Sequence, residues 1–297
     1  MDREVNVIVV TSQFPEGRQK PERITFVIIL ATDHIDSHPG FIGRHKLIHN
    51  TTVHPHKLVH YQKLFSSARW WNTYGNMFIY GGVYLLGCLG IGITIAAMLN
   101  QLSKSAIFYR TIYLYPLAMS LIITGLAWQW VLSPTTGLQH LVRTLGFQNF
   151  SLNILGSSEY AIYALAGAAV WHSTGLVIVL FLAGMKGIDS DLWRAARIDH
   201  IPTWRIFMSI VLPQLRSVLM TAIVLLAFNV VRSFDIVVAL TKGGPGRASE
   251  LPALYAYDYY FVRSNIGHGS AAAVVMVISI MAIVLPYLVY ELRSRKQ

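Results

Sequence analysis

Five histidines between residues 45 and 60 form the densest set of metal-ligating side chains in the chain. His45 with His49, and His56 with His60, are four residues apart, so each pair would share one helix face and could bind zinc. Pro55 breaks any helix that would link the two pairs, and no cysteine or carboxylate accompanies them. We therefore predict an irregular, solvated segment without a metal. The alternative, a membrane-bound metalloenzyme, is tested by metal analysis of the purified protein.

The motifs of common catalytic sites are missing from the sequence. There is no Gly-x-x-x-x-Gly-Lys-Ser/Thr phosphate loop, no nucleophile elbow and no His-Glu-x-x-His pattern. The one cysteine, Cys88, lies in an apolar run, which excludes a disulfide framework and a Cys-x-x-Cys metal site. We therefore expect no catalytic residue and no cofactor, and we expect that this chain is not an enzyme and does not hydrolyse ATP.

Three polar residues lie late in an apolar segment, where they could bind a ligand. Asn229 and Ser233 are four residues apart and Arg232 is adjacent, so all three are predicted on one side of a helix. Polar groups in a membrane are costly and usually face a cavity or the interior of the bundle. For Asn229, a hydrogen bond between two helices is an equally good interpretation.

The composition places these residues in a membrane protein. Hydrophobic residues make up 54% of the chain and charged residues 13%, and the mean hydropathy is +0.48. Because about 20 apolar residues of helix cross the hydrocarbon core, five segments qualify as spans: roughly 74–99, 107–131, 160–184, 208–231 and 269–290. We predict an all-α polytopic bundle. The net charge of +10 comes from basic residues scattered between spans, which argues against nucleic acid as a partner.

The basic residues also predict an orientation. Ten of them fall in the connections and the tail that would share one side: Lys104, Arg110, Lys186, Arg194, Arg197, Arg205, Arg216, Arg293, Arg295 and Lys296. Five fall on the other side: Arg143, Arg232, Lys242, Arg247 and Arg263. The positive-inside rule makes the first side cytoplasmic.

Residues 192–213 form a basic, amphipathic interruption between two spans, on the side predicted to be cytoplasmic. A helix beginning near Asp191 would place Leu192, Ala195 and Ala196 on one face, and two adjacent alanines let another protein approach the backbone closely. Pro202 ends this helix because the residue before a proline leaves the α region. A second helix is predicted from Thr203 into the membrane.

This helix–turn–helix resembles the coupling motif of ATP-binding-cassette import permeases, which usually reads Glu-Ala-Ala, three residues, then Gly. The sequence departs from that pattern at two positions, because Arg194 replaces the Glu and His200 the Gly, while Asp199 is retained. A second hallmark of the sugar-importing branch is similar to residues 240–246, Leu-Thr-Lys-Gly-Gly-Pro-Gly, which predict a tight turn at the outer face. The resemblance covers roughly residues 58–292.

The resemblance implies a permease subunit that carries a sugar, or a related polyol or glycoside, across the cell (inner) membrane. It implies a dimer of ATPase subunits that moves the attached spans, a second homologous permease, an extracytoplasmic sugar-binding protein and surrounding lipid. The residues that would contact the ATPase are Arg194, Ala195, Ala196, Asp199, His200 and Pro202. Asn229, Arg232 and Ser233 would border the substrate path, where an amide or guanidinium can bind sugar hydroxyls.

The amino-terminal region does not fit this pattern well. We divide the chain into a poorly defined segment 1–73, a permease domain 74–292 and a basic cytoplasmic tail 293–297. Residues 61–73 resemble the extracytoplasmic lead-in to the family's second helix, but the only earlier apolar run, residues 24–31, is about 12 Å long as a helix and too short to span. The family's first span is therefore expected to be degenerate or absent.

A stand-alone secondary transporter or channel is the alternative from another class. Coupling to protons or sodium would need carboxylates inside the membrane, and the interiors of the five predicted spans contain none. The neighbouring reading frames would decide between the two, because an importer requires a binding protein and a second permease.

Overall fold

The computed structural model describes residues 7–12, 24–29, 59–101, 106–189 and 202–294. The chain divides into two units, Met1–Leu58 and Val59–Gln297. The boundary lies before the segment 61–73, which is helical and belongs to the larger unit.

The amino-terminal unit contains two short strands that the sequence analysis did not predict. β1 (Val7–Ser12) pairs antiparallel with β2 (Ile24–Ile29), and Val7 lies opposite Ile29. β2 covers most of the apolar run that is too short to span as a helix. Its β-branched residues favour an extended strand.

The regular elements in the described part of the larger unit are all helices, in agreement with the predicted bundle. The first half holds α1 (Val59–Phe65), α2 (Ala68–Gln101), α3 (Ala106–Ala118), α4 (Leu121–Val131), α5 (Leu138–Thr144) and α6 (Ala161–Lys186). The second half holds α7 (Thr203–Ile206), a π-helical turn (Phe207–Val211), α8 (Leu212–Gln214), α9 (Arg216–Val231), α10 (Asp235–Leu240), α11 (Pro252–Tyr257), a second π-helical turn (Asp258–Val262) and α12 (Ile266–Ser294).

Among the described residues, three helices are long and apolar enough to cross a membrane, and two bent pairs raise the number to five. The single helices contribute Ala68–Asn100, Ala161–Lys186 and Ile266–Tyr287. The pairs are Phe108–Ala118 with Leu121–Val131, bent by 99°, and Trp204–Gln214 with Arg216–Val231, bent by 74°. All five predicted segments are therefore helical.

Two prolines lie inside long apolar helices. Pro116 lies inside α3, shortly before the break between α3 and α4. Pro286 lies inside α12, which continues as helix to Ser294. Membrane helices tolerate proline where neighbouring groups satisfy the freed backbone.

α6 is the central helix of the bundle, with 72% of its most apolar stretch buried. It packs along α2 through small residues. A Cβ added at Gly87 would come within 2.8 Å of Val170, and one at Gly92 within 2.6 Å of Val177. Small side chains thus bring the two backbones close together. A Cβ added at Gly90 would have no such neighbour within 4 Å, so Gly90 does not contribute to this close packing.

α2 and α12 expose most of their apolar surface in the isolated chain. Only 28% and 17% of their respective apolar stretches are buried. Large side chains such as Phe78 and Leu86 on α2, and Ile278 on α12, are exposed. Such faces suit lipid or another membrane-embedded chain.

Candidate functional site

The surface segment between α6 and α9 is described only in its second half. Five of the six predicted coupling residues lie outside the described residues: Arg194, Ala195, Ala196, Asp199 and His200. The sixth, Pro202, is exposed and directly precedes α7. Its carbonyl accepts hydrogen bonds from the backbone N–H groups of Arg205 at 2.9 Å and Ile206 at 3.2 Å. The second helix therefore begins at Thr203, as the sequence predicted.

This second helix is amphipathic and joins its span at a sharp angle. Trp204 and Arg205 are exposed, whereas Ile206 and Phe207 are buried. The helix continues through the π-helical turn and α8, and a break at Leu215 separates it from α9. The angle of 74° at this break is the geometry expected of a helix lying across a membrane surface before its chain enters the membrane.

The three predicted pathway residues lie at the far end of α9 or directly after it, and they face different surroundings. α9 ends at Val231, so Ser233 follows the helix instead of lying on its face. The Ser233 hydroxyl donates a hydrogen bond to the Asn229 carbonyl at 2.7 Å and lies 3.1 Å from the Tyr80 hydroxyl of α2. The prediction that all three lie on one helix face is therefore wrong for Ser233, which ties the end of α9 to α2.

Asn229 and Arg232 differ from each other as well. Asn229 is half-buried, with its side chain beside the Tyr84 hydroxyl of α2. Arg232 is exposed, and its guanidinium lies 5.5 Å from the centre of the Phe228 ring, which is also exposed. Of the three, Arg232 thus presents the most accessible hydrogen-bond donors.

An apolar cavity of about 620 Å³ lies between α2, α3, α4 and α6. The Trp128 and Trp171 rings meet edge to face in its wall, with their centres 6.0 Å apart. The wall carries no charged side chain, and its Thr174 hydroxyl already donates a hydrogen bond to the Val170 carbonyl at 2.6 Å. The cavity therefore offers few groups for a hydroxyl-rich ligand. The neighbouring His172 is buried, and its Nδ1 lies 3.2 Å from the Thr124 hydroxyl, so this histidine forms a hydrogen bond between α4 and α6.

A network of ion pairs lies at the end of the bundle where α2 begins. Arg69 donates from Nε to Glu250 Oε2 at 2.9 Å and from Nη2 to the other carboxylate oxygen. Its Nη1 lies 2.7 Å from Asp258, which Arg263 also contacts at 2.9 Å. The Glu250 side chain is only 4% exposed. Arg69 and Glu250 are 181 positions apart, so no local sequence pattern indicates this pair.

The network favours the ionised form of Asp258. Partial burial opposes ionisation of Asp258, but hydrogen bonds from Arg69 and Arg263 outweigh it and hold the pKa of this carboxyl below its usual value. The Arg69 guanidinium also lies 5.0 Å from the centre of the Tyr255 ring. Burial raises the pKa of the Tyr255 hydroxyl to about 12, so this group stays neutral at physiological pH.

The loop of residues 241–250, which we call the Gly-Gly-Pro loop, is held by hydrogen bonds at several points. The Ser249 hydroxyl contacts Thr241 Oγ1 and the Gly244 carbonyl, both at 2.7 Å. The Asn76 amide of α2 donates to the Arg247 carbonyl at 3.2 Å and to the Glu250 carbonyl at 3.1 Å. Gly243 has a φ of +81°, a conformation that glycine adopts at little cost. The predicted turn is confirmed, and it is fixed to α2.

An apolar bundle of up to five spans, preceded by an amphipathic helix at one end of a span, defines this chain as a polytopic membrane protein. Residues 89–296 match the family described as the binding-protein-dependent transport system inner membrane component, and the chain belongs to this family.

Similar proteins agree with this assignment. A probable ABC transporter permease protein of Pyrococcus horikoshii is 28% identical over 81% of this chain and 82% of its own length. The trehalose/maltose transport system permease protein MalF of Thermococcus litoralis is 34% identical over 67% of this chain and 66% of its own length. A solved chain from a bacterial ABC transporter that imports the polysaccharide alginate shares the fold, with a TM-score of 0.71 at 20% identity, covering 79% of this chain and 83% of that one.

Proposed function

We propose that this chain is one of two permease subunits of an ATP-driven importer that carries a sugar, or a related polyol or glycoside, across the cell (inner) membrane. The observation that carries the proposal is the family match, which spans the amphipathic segment between α6 and α9 as well as the Gly-Gly-Pro loop. The trehalose and maltose named for the Thermococcus relative indicate the substrate class.

The proposed partners are ATPase subunits, a second permease and an extracytoplasmic sugar-binding protein. The sequence of this chain has no phosphate loop, so a dimer of separate ATPase subunits supplies the energy and docks against residues 191–202. The apolar faces of α2 and α12 suit a second, homologous permease and the surrounding lipid. An extracytoplasmic sugar-binding protein delivers the substrate to the opposite side.

Reconstitution tests this function directly. We expect vesicles that contain this chain, its second permease and the ATPase subunits to accumulate labelled sugar only when ATP is inside and the binding protein outside. Uptake driven by a proton or sodium gradient without ATP would instead support the secondary transporter, although the interiors of the described spans offer no carboxylate for such coupling.

We further propose that Asn229, Arg232 and Ser233 border the substrate path. In this arrangement Arg232 and Asn229 offer donors to sugar hydroxyls, while Ser233 fixes the end of α9 through Tyr80. The exposure of Arg232 beside the aromatic face of Phe228 supports this arrangement, because such a face can stack on the apolar side of a sugar ring.

Asn229→Ala should raise the Michaelis constant for uptake about tenfold, because one hydrogen bond to the sugar, worth about 1–1.5 kcal/mol, is lost. The amount of assembled complex should not change. Thr221→Ala is the matched control, since Thr221 lies on the same helix and contacts the Tyr287 hydroxyl of α12 at 2.9 Å. If both variants leave the Michaelis constant unchanged, or Asn229→Ala dissociates the complex, Asn229 is structural.

A further inference from the structure

Two cations of the Gly-Gly-Pro loop adopt backbone conformations that side chains normally avoid. Lys242 has a φ of +53° and Arg247 a φ of +76°, in the left-handed region where glycine and asparagine are common. Among the described residues, only Ser264 is a third non-glycine residue with positive φ. Strained positions of this kind cluster at functional sites, where the surrounding structure enforces them.

The surrounding structure does enforce the shape of this loop. Asn76 holds the backbone carbonyls of Arg247 and Glu250, and Ser249 bridges Thr241 and Gly244. At the end of the loop, Arg69 binds the buried Glu250 carboxylate through two nitrogens. The two cations are therefore presented from a fixed frame that is anchored to α2.

The positive charge of the two cations is not neutralised by the carboxylates of the neighbouring network. Glu250 is buried against Arg69, and Asp258 is shared by Arg69 and Arg263. None of the ion pairs among the described residues involves Lys242 or Arg247, and both residues are exposed. The loop thus offers two solvated cations on a backbone that is held at several points.

We propose that the Gly-Gly-Pro loop is a docking surface for an acidic patch on the extracytoplasmic binding protein, and that Lys242 and Arg247 are its contact cations. The inference rests on the proposed function and on the predicted orientation, which places the loop outside. Two solvated cations on a held backbone suit an acidic patch on a protein surface. Attraction to anionic lipid instead uses clusters of about four to eight cations.

The test removes both charges while keeping the backbone. Asparagine tolerates the left-handed region, so Lys242→Asn with Arg247→Asn should preserve the loop. The assembled importer is placed in phosphatidylcholine nanodiscs and titrated with its purified extracytoplasmic sugar-binding protein. We expect about tenfold weaker binding at low salt, a difference that disappears at about 0.5 M salt, and unchanged basal ATP hydrolysis.

Arg143→Asn is the matched control, because Arg143 is an exposed cation on α5, predicted on the same side of the membrane. The importer with Arg143→Asn should bind the binding protein with the same affinity as the unaltered importer. Equal affinity of the double variant at low salt would overturn the docking proposal. A loss seen only in nanodiscs with phosphatidylglycerol would also overturn it, by assigning the cations to lipid headgroups. If the unaltered importer itself fails to bind or respond to the binding protein, the proposed function fails instead.

Discussion

Tryptophan in place of Ala196 is expected to abolish uptake while the protein still inserts into the membrane. Ala195 and Ala196 are proposed to lie in a groove on the ATPase subunit, where small side chains let the two proteins approach closely. An indole ring at this position would hold the surfaces apart, and the spans would no longer respond to ATP. Uptake of labelled sugar, normalised to the amount of protein in the membrane, measures the effect. A loss of at least about a hundredfold is expected, which corresponds to about 2.7 kcal/mol of lost coupling.

Ala183→Trp is the control for added bulk. Ala183 is exposed near the end of α6, before the coupling segment, and receives the same substitution. It should retain uptake because it lies outside the proposed contact. Normal uptake by Ala196→Trp would show that the segment does not dock through its alanines. Equal loss in both variants would point to a general effect of size.

The second large effect is expected from Arg69→Met, which leaves the Glu250 carboxylate buried without its partner. Breaking a buried ion pair on one side costs about 3–5 kcal/mol, because the remaining charge is neither solvated nor paired. The midpoint of thermal unfolding of the purified complex should therefore fall by many degrees. Adding Glu250→Gln should recover much of the loss, because the unpaired charge is then removed.

Arg263→Met provides a matched comparison within the same network. Arg263 also contacts Asp258, but its side chain is 46% exposed. Exposed ion pairs contribute at most about 1 kcal/mol to the free energy of unfolding. This variant should therefore change the midpoint of thermal unfolding only slightly. Equal shifts for Arg69→Met and Arg263→Met would contradict the idea that burial of the Glu250 pair determines the cost.

Hydropathy and turn chemistry were sufficient to predict the frame of the bundle. The five spans, the helix start at Thr203 and the turn at Gly243 all follow from patterns within a short stretch of sequence. Such features depend on local physics: the thickness of the hydrocarbon core, the effect of a proline and the conformational freedom of glycine.

The features that were not predicted depend on distant contacts or on where a helix stops. The Arg69–Glu250 pair joins residues far apart in sequence, and only the packed bundle brings them together. Ser233 does not lie on the predicted helix face, because α9 ends at Val231. β2 was not predicted because the apolar run at residues 24–31 is too short to span a membrane as a helix. A strand paired with β1 needs fewer residues.

The break at Leu215 bears on how a displacement of the surface helix would reach the proposed substrate path. α9 has 16 residues and is about 24 Å long, and its far end is pinned to α2 by the contact between Ser233 and Tyr80. If α9 moves as a rigid body, it rotates about this contact. Each 3 Å of sideways displacement at Arg216 would then tilt α9 by roughly 7°. The end held by Tyr80 moves least, so the side chains proposed to border the substrate path would be reoriented by rotation while remaining nearly in place.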